Sequence, residues 1–467
     1  MGISLIDKVL KRFKFSDRLE SGESVVGEEN VFNSYNLTRK VPASSPPCLA
    51  PWTSVNFNID GYANVCCLNK KTSVSVANNS IDDIWKSEAF NLLRENVSQN
   101  KLQHDCSVCH DQIHSKNFSG VKAVNYDSFY PYNPERPKIM EFCLENTCNL
   151  ACVMCNSLLS SSIRKNENLP PLKKQYDEKF VTELEPYIPF LKEAVFSGGE
   201  PFLIPIYFKI WEKMLAINPE IIISVVTNGT TLNDKIKAMM ERGRFRINVS
   251  IDSVHKETYE LIRRNSNFEI VMENFEWFRE YGNRKNLPVN IPVCPLTVNW
   301  SRIPEVVRFA NEKNVSINFV YVDRPFTLAL TYSKPEYLQT IIEQYNLEKF
   351  DTTSPRSDDN IKRFKGLIDD IESWRKNSIH SSEEIHIEGD LMQRLETKIM
   401  NSGELKRDDV KKEMILKIKD MLTEIPADRT DSVLKVINNY SPERIHHFLD
   451  GKNTKEIAVF FKEFAGK

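Results

Sequence analysis

The chain has 467 residues, of which 41% are hydrophobic and 27% are charged, and its formal net charge is −2. This composition is ordinary for a globular protein, and the near-zero charge excludes a bulk field that attracts nucleic acid or acidic lipid. We find no apolar run of the roughly 18 residues needed to span a bilayer, and residues 1–6 lack the apolar core of a secretion signal. We therefore expect a cytoplasmic protein with neither membrane nor nucleic acid as its partner.

The N-terminal 44 residues are predicted to form a tail. Apolar residues recur at helical spacing over residues 3–13, which favours a short docking helix or a frayed end. The run Ala43-Ser44-Ser45-Pro46-Pro47 disfavours regular structure. We therefore place the start of the first folded region at residue 45, in a chain long enough for roughly two or three domains.

Cysteine usage sets the next region apart. Nine of the ten cysteines lie between residues 48 and 155, in C-x2-C and C-x3-C-x2-C groups. A disulfide framework is one reading, but a long chain without a secretion signal argues against it. Clustered spacing of this kind favours metal binding. Residues 45–135 are therefore predicted to be a cysteine-rich α+β domain with short strands and at least one helix.

Residues 136–345 alternate apolar strands with helices, which predicts βαβ units and a parallel sheet, and so an α/β fold. Asn233 is a candidate N-cap, and Gly243 and Gly282 stand where helices are expected to end. The predicted strands are Ile139–Cys143, Ala194–Ser197, Ile221–Thr227, Ile247–Ile251, Val289–Cys294 and Ile317–Val322. The predicted helices are Tyr207–Ala216, Asp234–Glu241, Glu269–Tyr281 and Ile303–Lys313.

Residues 346–467 are predicted to be a C-terminal helical extension. Apolar residues recur at helical spacing from Val410 to Ile425 and stop before Pro426. An amphipathic stripe of this kind is typical of a packing element rather than of catalytic machinery.

Three thiols follow the first predicted strand of the α/β region, at Cys148, Cys152 and Cys155. The C-terminal edge of such a sheet is where active sites collect. An iron–sulfur cube usually takes four protein ligands, so three thiolates would leave one iron open for chemistry. A structural zinc site is the alternative, with Cys143 as the nearest fourth ligand.

This cysteine run is accompanied by Ser197-Gly198-Gly199-Glu200-Pro201, Thr227-Asn228-Gly229 and Ser250-Ile251-Asp252, each at a predicted strand end. Together these motifs resemble the radical S-adenosylmethionine (radical SAM) enzymes over roughly residues 136–325. The resemblance implies a partial (β/α)6 TIM-like barrel, a catalytic [4Fe–4S] cluster and bound S-adenosylmethionine. By the same resemblance, Arg263 is a candidate for the cofactor carboxylate, with Arg264 as its competitor and Asn299 as a weaker candidate. The implied cofactor-binding residues are Ser197, Gly198, Gly199, Glu200, Thr227, Asn228, Ser250, Asp252 and Arg263.

The N-terminal cysteines have a pattern of their own, Cys48-x12-Gly61-x4-Cys66 followed by Cys106-x2-Cys109. This pattern resembles the twitch and SPASM modules, which hold auxiliary clusters beside radical SAM barrels, although those modules usually follow the barrel. The resemblance implies a second [4Fe–4S] cluster on Cys48, Cys66, Cys106 and Cys109, with Cys67 as an alternative to Cys66. A zinc site helped by His104, His110 or His114 stays open. Cys143 and Cys294 are read as buried strand cysteines that behave as small hydrophobes.

The resemblance implies an enzyme that cleaves S-adenosylmethionine reductively and abstracts hydrogen from a substrate C–H bond. Its most favoured substrate is a ribosomally made peptide, with an electron donor such as flavodoxin or ferredoxin as partner. Two alternatives are kept. One is oxidation or rearrangement of a small molecule such as a sugar or nucleoside, and the other is a non-catalytic iron–sulfur binding or redox-sensing protein. No catalytic acid or base is assigned.

Overall fold

The computed structural model describes residues 31–69, 73–102, 106–322, 324–325, 328–352, 354–383, 391–402, 405 and 407–425, with isolated positions between 430 and 449. The predicted helix over residues 3–13 lies outside these residues. The chain divides into two compact units. The first is Met1–Tyr321 with Lys349–Leu367, and the second is Val322–Glu348 with Ile368–Lys467.

A single sheet of nine strands forms the first unit, in the order β3-β2-β1-β4-β5-β6-β7-β8-β9. Every neighbouring pair from β1 through β4 to β9 is parallel, whereas β2 pairs antiparallel with β1 and β3. The six predicted strands are confirmed as β4 to β9, which gives the predicted α/β fold with a parallel sheet. The strands are β1 Ser54–Phe57, β2 Tyr62–Asn64, β3 Val74–Ser75, β4 Ile139–Phe142, β5 Glu193–Phe196, β6 Ile222–Thr227, β7 Arg244–Val249, β8 Asn290–Val293 and β9 Ser316–Phe319.

The cysteine-rich region shares this sheet. Strand β1 pairs in parallel with β4, with Ser54 opposite Ile139 and Phe57 opposite Phe142. All four residues of β1 are buried, so the strand lacks the alternation that marks a one-sided strand in sequence. The domain boundaries predicted at residues 45, 136 and 346 stay predictions, although backbone pairing runs across the boundary at 136.

Helices connect the strands. Those of the first unit are α1 Ala50–Thr53, α2 Ile81–Lys86, α3 Glu88–Ser98, α4 Ser107–His114, α5 Ser161–Asn166, α6 Glu178–Glu183, α7 Pro205–Ile217, α8 Asp234–Glu241, α9 Lys256–Ile262, α10 Phe268–Lys285 and α11 Ile303–Glu312. Asn233 caps α8 as predicted, because its side chain accepts from Ile236 N.

The expectation that Gly282 ends its helix is wrong. Helix α10 continues to Lys285, and Asn286 in the left-handed conformation (φ 54°) ends it. Gly282 is needed for a different reason, since a Cβ there would lie 2.5 Å from the carbonyl oxygen of Leu287. Its small size lets the chain fold back against the helix.

The two faces of the sheet differ in chemistry. One face packs under helices through fully buried apolar residues, and the rings of Phe142 and Phe196 stack there at 4.8 Å. On the other face, Asn248 donates to Ser224 and accepts from Asn290, and Arg246 pairs with Glu193. The polar side chains of this face, which we name the polar face, alternate along the strands with those of the apolar face. They are Glu141, Glu193, Ser224, Arg246, Asn248, Asn290, Ser316 and Asn318.

The second unit is helical, which confirms a C-terminal helical extension. Its helices are α12 Pro335–Leu347, most of α13 Ser357–Glu383, α14 Leu391–Met400 and α15 Asp408–Thr423. The predicted apolar stripe is confirmed on α15, where Met414, Ile418 and Met421 are buried against Leu395 and Ile399 of α14. Across the described ranges, none of the helices is both long and apolar enough to cross a membrane.

Candidate cluster and cofactor site

The cysteine loop, residues 143–155, leaves the end of β4 and is held from two sides. On one side, Cys148 N donates to Ser161 Oγ at 3.0 Å, and the same hydroxyl donates back to Cys148 O at 3.1 Å. On the other side, Ala151 N donates to Arg264 O at 3.0 Å and Val153 N to Ile262 O at 2.9 Å. The loop is therefore fixed between the start of α5 and the end of α9 before any ligand binds.

Burial favours the protonated form of the three thiols of this loop, so a metal that bound them would have to displace their protons. All three are half-buried and none forms a disulfide. Burial raises the pKa of Cys148 and Cys152, and raises that of Cys155 to about 11. Two donors face the Cys148 sulfur, namely Leu150 N at 3.5 Å and Asn228 Nδ2 at 3.9 Å. Such N–H groups stabilise cluster sulfurs. Among the described residues, no group of three or more His, Cys, Asp or Glu could hold a single metal ion.

The paired glycines bring β5 against the cysteine loop. Gly198 has a φ of +114°, and a Cβ at Gly199 would lie 2.2 Å from Thr147 O. Backbone hydrogen bonds join the two segments, from Gly199 N to Glu145 O at 3.1 Å and from Glu200 N to Thr147 O at 2.7 Å. The glycines thus allow close approach to the loop backbone, and their predicted approach to the cofactor stays a prediction.

Glu200 is fully buried and joins the ends of β5 and β6. Its carboxylate accepts from Thr227 Oγ at 2.8 Å, from Asn228 N at 2.7 Å and from Phe202 N at 3.1 Å. Burial raises its pKa to about 7, against these hydrogen bonds, which lower it. The Asn228 side chain reaches on to Asn149 Oδ1 at 3.0 Å. Glu200, Thr227 and Asn228 are thus brought together beside the cysteine loop.

We predict that Glu200 makes stability fall as pH rises. The unfolded carboxyl loses its proton near pH 4.5, whereas the folded one keeps it until about pH 7. Its contribution is therefore full below pH 4.5 and is lost as pH rises through 7. Relative to Glu200→Gln, the wild-type free energy of unfolding should drop by about 2 kcal/mol from pH 5 to pH 8. Urea unfolding of both proteins without S-adenosylmethionine measures this, and parallel pH profiles would contradict it.

Asp252 and Arg263 form a buried ion pair at the ends of β7 and α9. Arg263 Nε lies 2.8 Å from Asp252 Oδ2, with side chains 9% and 0% exposed, although the N–H is not aligned for a hydrogen bond. Burial opposes the charge on Arg263, but Asp252 and Cys152 keep its pKa above the usual value. Arg264 is exposed, so Arg263 is the arginine that faces the cysteine loop.

The neighbouring strand end completes this edge of the sheet. Asp252 Oδ1 accepts from Cys294 N at 2.7 Å, and Asn299 Nδ2 donates to Asp252 O at 2.9 Å and to Cys294 O at 3.0 Å. Asn299 therefore links the segments that follow β7 and β8 by hydrogen bonds. Ser250 lies on the same edge, where its N–H donates to Thr227 O at 3.0 Å. Cys294 and Cys143 are only half-buried and follow the last strand residues, contrary to the reading of both as buried strand cysteines.

The N-terminal cysteines surround a cavity of about 440 Å³. Cys48 and Cys66 pack against the same apolar cluster, and the pKa of Cys48 is raised by burial and then by Cys109 and Cys106. Asn69 Nδ2 lies 4.0 Å from the Cys106 sulfur. Cys67 also lines the cavity but is exposed, and burial raises its pKa to about 11 with Glu141 as the next cause.

Comparisons with known families match both sites. The family model of the radical SAM superfamily covers residues 144–310, and that of an iron–sulfur cluster-binding domain, SPASM, covers residues 48–110. Residues 144–310 therefore match a radical SAM domain, and residues 48–110 match a SPASM domain. The domain types confirm the predicted cofactors, which are [4Fe–4S] clusters and S-adenosylmethionine. The assignment of individual residues to them stays a prediction.

Relatives and solved structures resemble part of the chain. A GTP 3′,8-cyclase of Listeria monocytogenes is 31% identical over 204 residues, covering 43% of this chain and 58% of the relative. One of Streptomyces coelicolor is 28% identical over 182 residues, covering 38% and 50%. The chain thus spans between half and three fifths of the length of these relatives. Solved structures include anSMEcpe with bound AdoMet (20% identity, TM-score 0.35, 44% and 59% covered) and Streptococcus suis SuiB with S-adenosylmethionine (14%, 0.34, 55% and 58%).

Sequence reasoning missed Tyr207 of α7 as part of the sheet edge that holds the cysteine loop. Its buried hydroxyl donates to Ser197 O at 2.7 Å and accepts from Leu144 N at 2.9 Å, so it joins the ends of β4 and β5. In sequence, Tyr207 is one more apolar residue of an amphipathic helix, and no signal distinguishes it. Ser161 was missed for the same reason, since a serine near a helix start is expected to act only as a cap.

We predict that Cys66→Ala and Cys67→Ala will show which of these two cysteines binds the auxiliary cluster. Cys66 packs against the same apolar cluster as Cys48, whereas Cys67 is exposed. The intact chain should hold about eight irons in two cubes. Cys66→Ala should reduce this to about four, while Cys67→Ala should leave it unchanged. Iron and zinc analysis of anaerobically reconstituted protein tests this, and four irons with one zinc in the wild type would remove the auxiliary cluster.

Proposed function

We propose that this protein is a radical SAM enzyme that cleaves S-adenosylmethionine reductively and abstracts hydrogen from a ribosomally made peptide. The observation that carries the first part is the convergence of three motifs at one sheet edge. The cysteine loop, the Glu200 carboxylate and the Arg263–Asp252 pair are joined there by hydrogen bonds through Asn228 and the 262–264 backbone.

Cys148, Cys152 and Cys155 would hold the cluster, which when reduced would supply one electron for cleavage of a C–S bond of S-adenosylmethionine, with methionine as the leaving group. The chain's own groups bind and orient this cofactor. Arg263 offers a buried positive charge for its carboxylate. Glu200 already accepts three protein hydrogen bonds and has about one acceptor position left for an ammonium group.

The polar face supports a peptide or another uncharged polar substrate. Asn248 and Asn290 offer amide groups that match the donors and acceptors of a peptide backbone. Both arginines that β4 to β9 carry are paired with carboxylates, Arg246 with Glu193 at 2.8 Å and Arg244 with Glu220 at 2.9 Å. The described strands therefore offer no unpaired cation to a triphosphate, which favours clustered Arg and Lys.

A second candidate is rearrangement of a nucleotide, which the GTP 3′,8-cyclase relatives favour. The two candidates separate by direct assay. Mass spectrometry of short peptides co-expressed with this protein should reveal a mass change for the first candidate. Conversion of GTP by the purified, reduced protein would favour the second.

The test of the radical chemistry uses reduced, anaerobically reconstituted protein with S-adenosylmethionine. We expect 5′-deoxyadenosine to form, and we expect Cys148→Ala to form none above background. Equal yields from the two proteins would favour the non-catalytic alternative, an iron–sulfur binding or redox-sensing role. A one-electron donor such as flavodoxin or ferredoxin is part of this proposal, as is a location in the cytoplasm.

A further inference from the structure

A second cavity, of about 540 Å³, lies against the first part of the cysteine loop. One wall is Glu145, Asn146 and Thr147, which directly precede Cys148. The other wall is formed by α5 and the segment that follows it, residues 168–174. We name this space the loop cavity. Ser161 lines it and exchanges two hydrogen bonds with the backbone of Cys148, so its wall touches a cluster ligand.

The loop cavity has a basic rim. Residues 161–174 contain four basic residues and one acidic residue, Glu167, in a chain whose 62 basic and 64 acidic residues nearly balance. The basic residues are Arg164, Lys165, Lys173 and Lys174, and all four line the cavity. Glu145 pairs with Lys174 at 3.0 Å, but Lys174 remains 65% exposed. Lys165 and Lys173 are exposed. The positive charge is therefore local and available to a partner.

Apolar groups stand inside this rim. Leu169 lines the cavity and is 37% exposed, and Leu172 also lines it and is half-buried. A small apolar centre inside a charged rim is the anatomy of a transient protein interface. Electron-transfer encounters bury little area and depend on charge for their rate and orientation.

We propose that the loop cavity and its basic rim form the docking surface for an acidic protein that carries one electron. In the step it serves, the reduced carrier loses one electron and the cluster on the cysteine loop gains it, with no bond formed or broken. The proposal rests on the proposed function for the fate of that electron, but not for the docking itself. A small anion in the cavity is the competing occupant.

The experiment compares Lys165→Glu/Lys173→Glu with Lys138→Glu/Lys192→Glu. The control pair makes the same charge change beside the N-terminal ends of β4 and β5, at the sheet edge opposite to the cysteine loop. Reduced flavodoxin and sodium dithionite serve in turn as reductants of the reconstituted full chain. Three quantities are measured, namely the affinity for flavodoxin, the rate of cluster reduction by electron paramagnetic resonance, and the yield of 5′-deoxyadenosine.

We expect Lys165→Glu/Lys173→Glu, the rim variant, to bind flavodoxin about tenfold more weakly than the wild type does. Its cluster should also be reduced by flavodoxin about tenfold more slowly. Its reduction by dithionite should be unchanged, which shows an intact fold, and the control pair should behave as wild type throughout. Added salt should slow the wild type with flavodoxin and leave the rim variant little affected. The proposal would be overturned if the rim variant bound flavodoxin, and was reduced by it, as well as the wild type is. It would also be overturned if a small anion filled the cavity without slowing the reduction of the cluster by flavodoxin. Normal reduction without any 5′-deoxyadenosine would instead overturn the proposed function and leave the docking surface standing.

Discussion

We expect Gly199→Ala to disrupt the cysteine loop and to lower the iron content of the protein by about half. A Cβ at this position would lie 2.2 Å from Thr147 O and 2.6 Å from Thr147 C. Both contacts are with backbone, which cannot rotate away as a flexible side chain would. Relief therefore requires β5 and the loop to separate, which breaks the bonds from Gly199 N to Glu145 O and from Glu200 N to Thr147 O. We expect a loss of about 4 kcal/mol in the free energy of unfolding.

Urea unfolding and iron analysis of the reconstituted protein measure these two effects. The matched control is Gly366→Ala in α13, where nothing lies within 4 Å of the added methyl group. There, alanine should stabilise the helix by up to about 1 kcal/mol and leave the iron content unchanged. If Gly199→Ala kept all of its iron and its stability, the glycine would not be needed for the approach to the loop.

The parallel sheet could be predicted from sequence because short strand-forming segments alternate with helical segments between residues 136 and 345. Local signals of this kind survive in the structure, as the N-cap of Asn233 does. The edge of the sheet that holds the motifs could be predicted too, since the carboxyl ends of parallel strands lie together. A glycine is a weaker signal of where a helix ends. The position of Gly282 favoured a helix end, but the helix continues past it and the glycine allows close packing there.

Pairings between distant residues could not be predicted. Strand β1 joins β4 across more than 80 residues, and nothing in the four residues of β1 selects that neighbour. In the same way, the motifs indicated that Glu200, Asp252 and Arg263 face one ligand. The structure shows that each also has protein partners, because a buried charge needs compensation before any ligand arrives. Composition and spacing identify the charged residues, whereas their partners depend on the fold.

Arg263→Gln is expected to destabilise the protein by about 3 to 5 kcal/mol, because it leaves the fully buried Asp252 carboxylate without its cation. The reverse change, Asp252→Asn, leaves the buried guanidinium unpaired and should cost a similar amount. The double variant Arg263→Gln/Asp252→Asn carries no buried charge at this site. Its loss should be well below the sum of the two single losses, which a double-mutant cycle in urea measures.

Arg264→Gln is the matched control for this ion pair. The two arginines are adjacent in sequence, but Arg264 is exposed, so its replacement should change stability by no more than about 0.5 kcal/mol. Binding of S-adenosylmethionine to the reconstituted protein gives a second readout, separate from stability. The double variant should bind it more weakly than the wild type because it lacks the guanidinium, whereas Arg264→Gln should bind it normally. If the two single arginine variants lost equal affinity, the cofactor carboxylate would not depend on Arg263, and the choice between the neighbours would have to be reversed or shared.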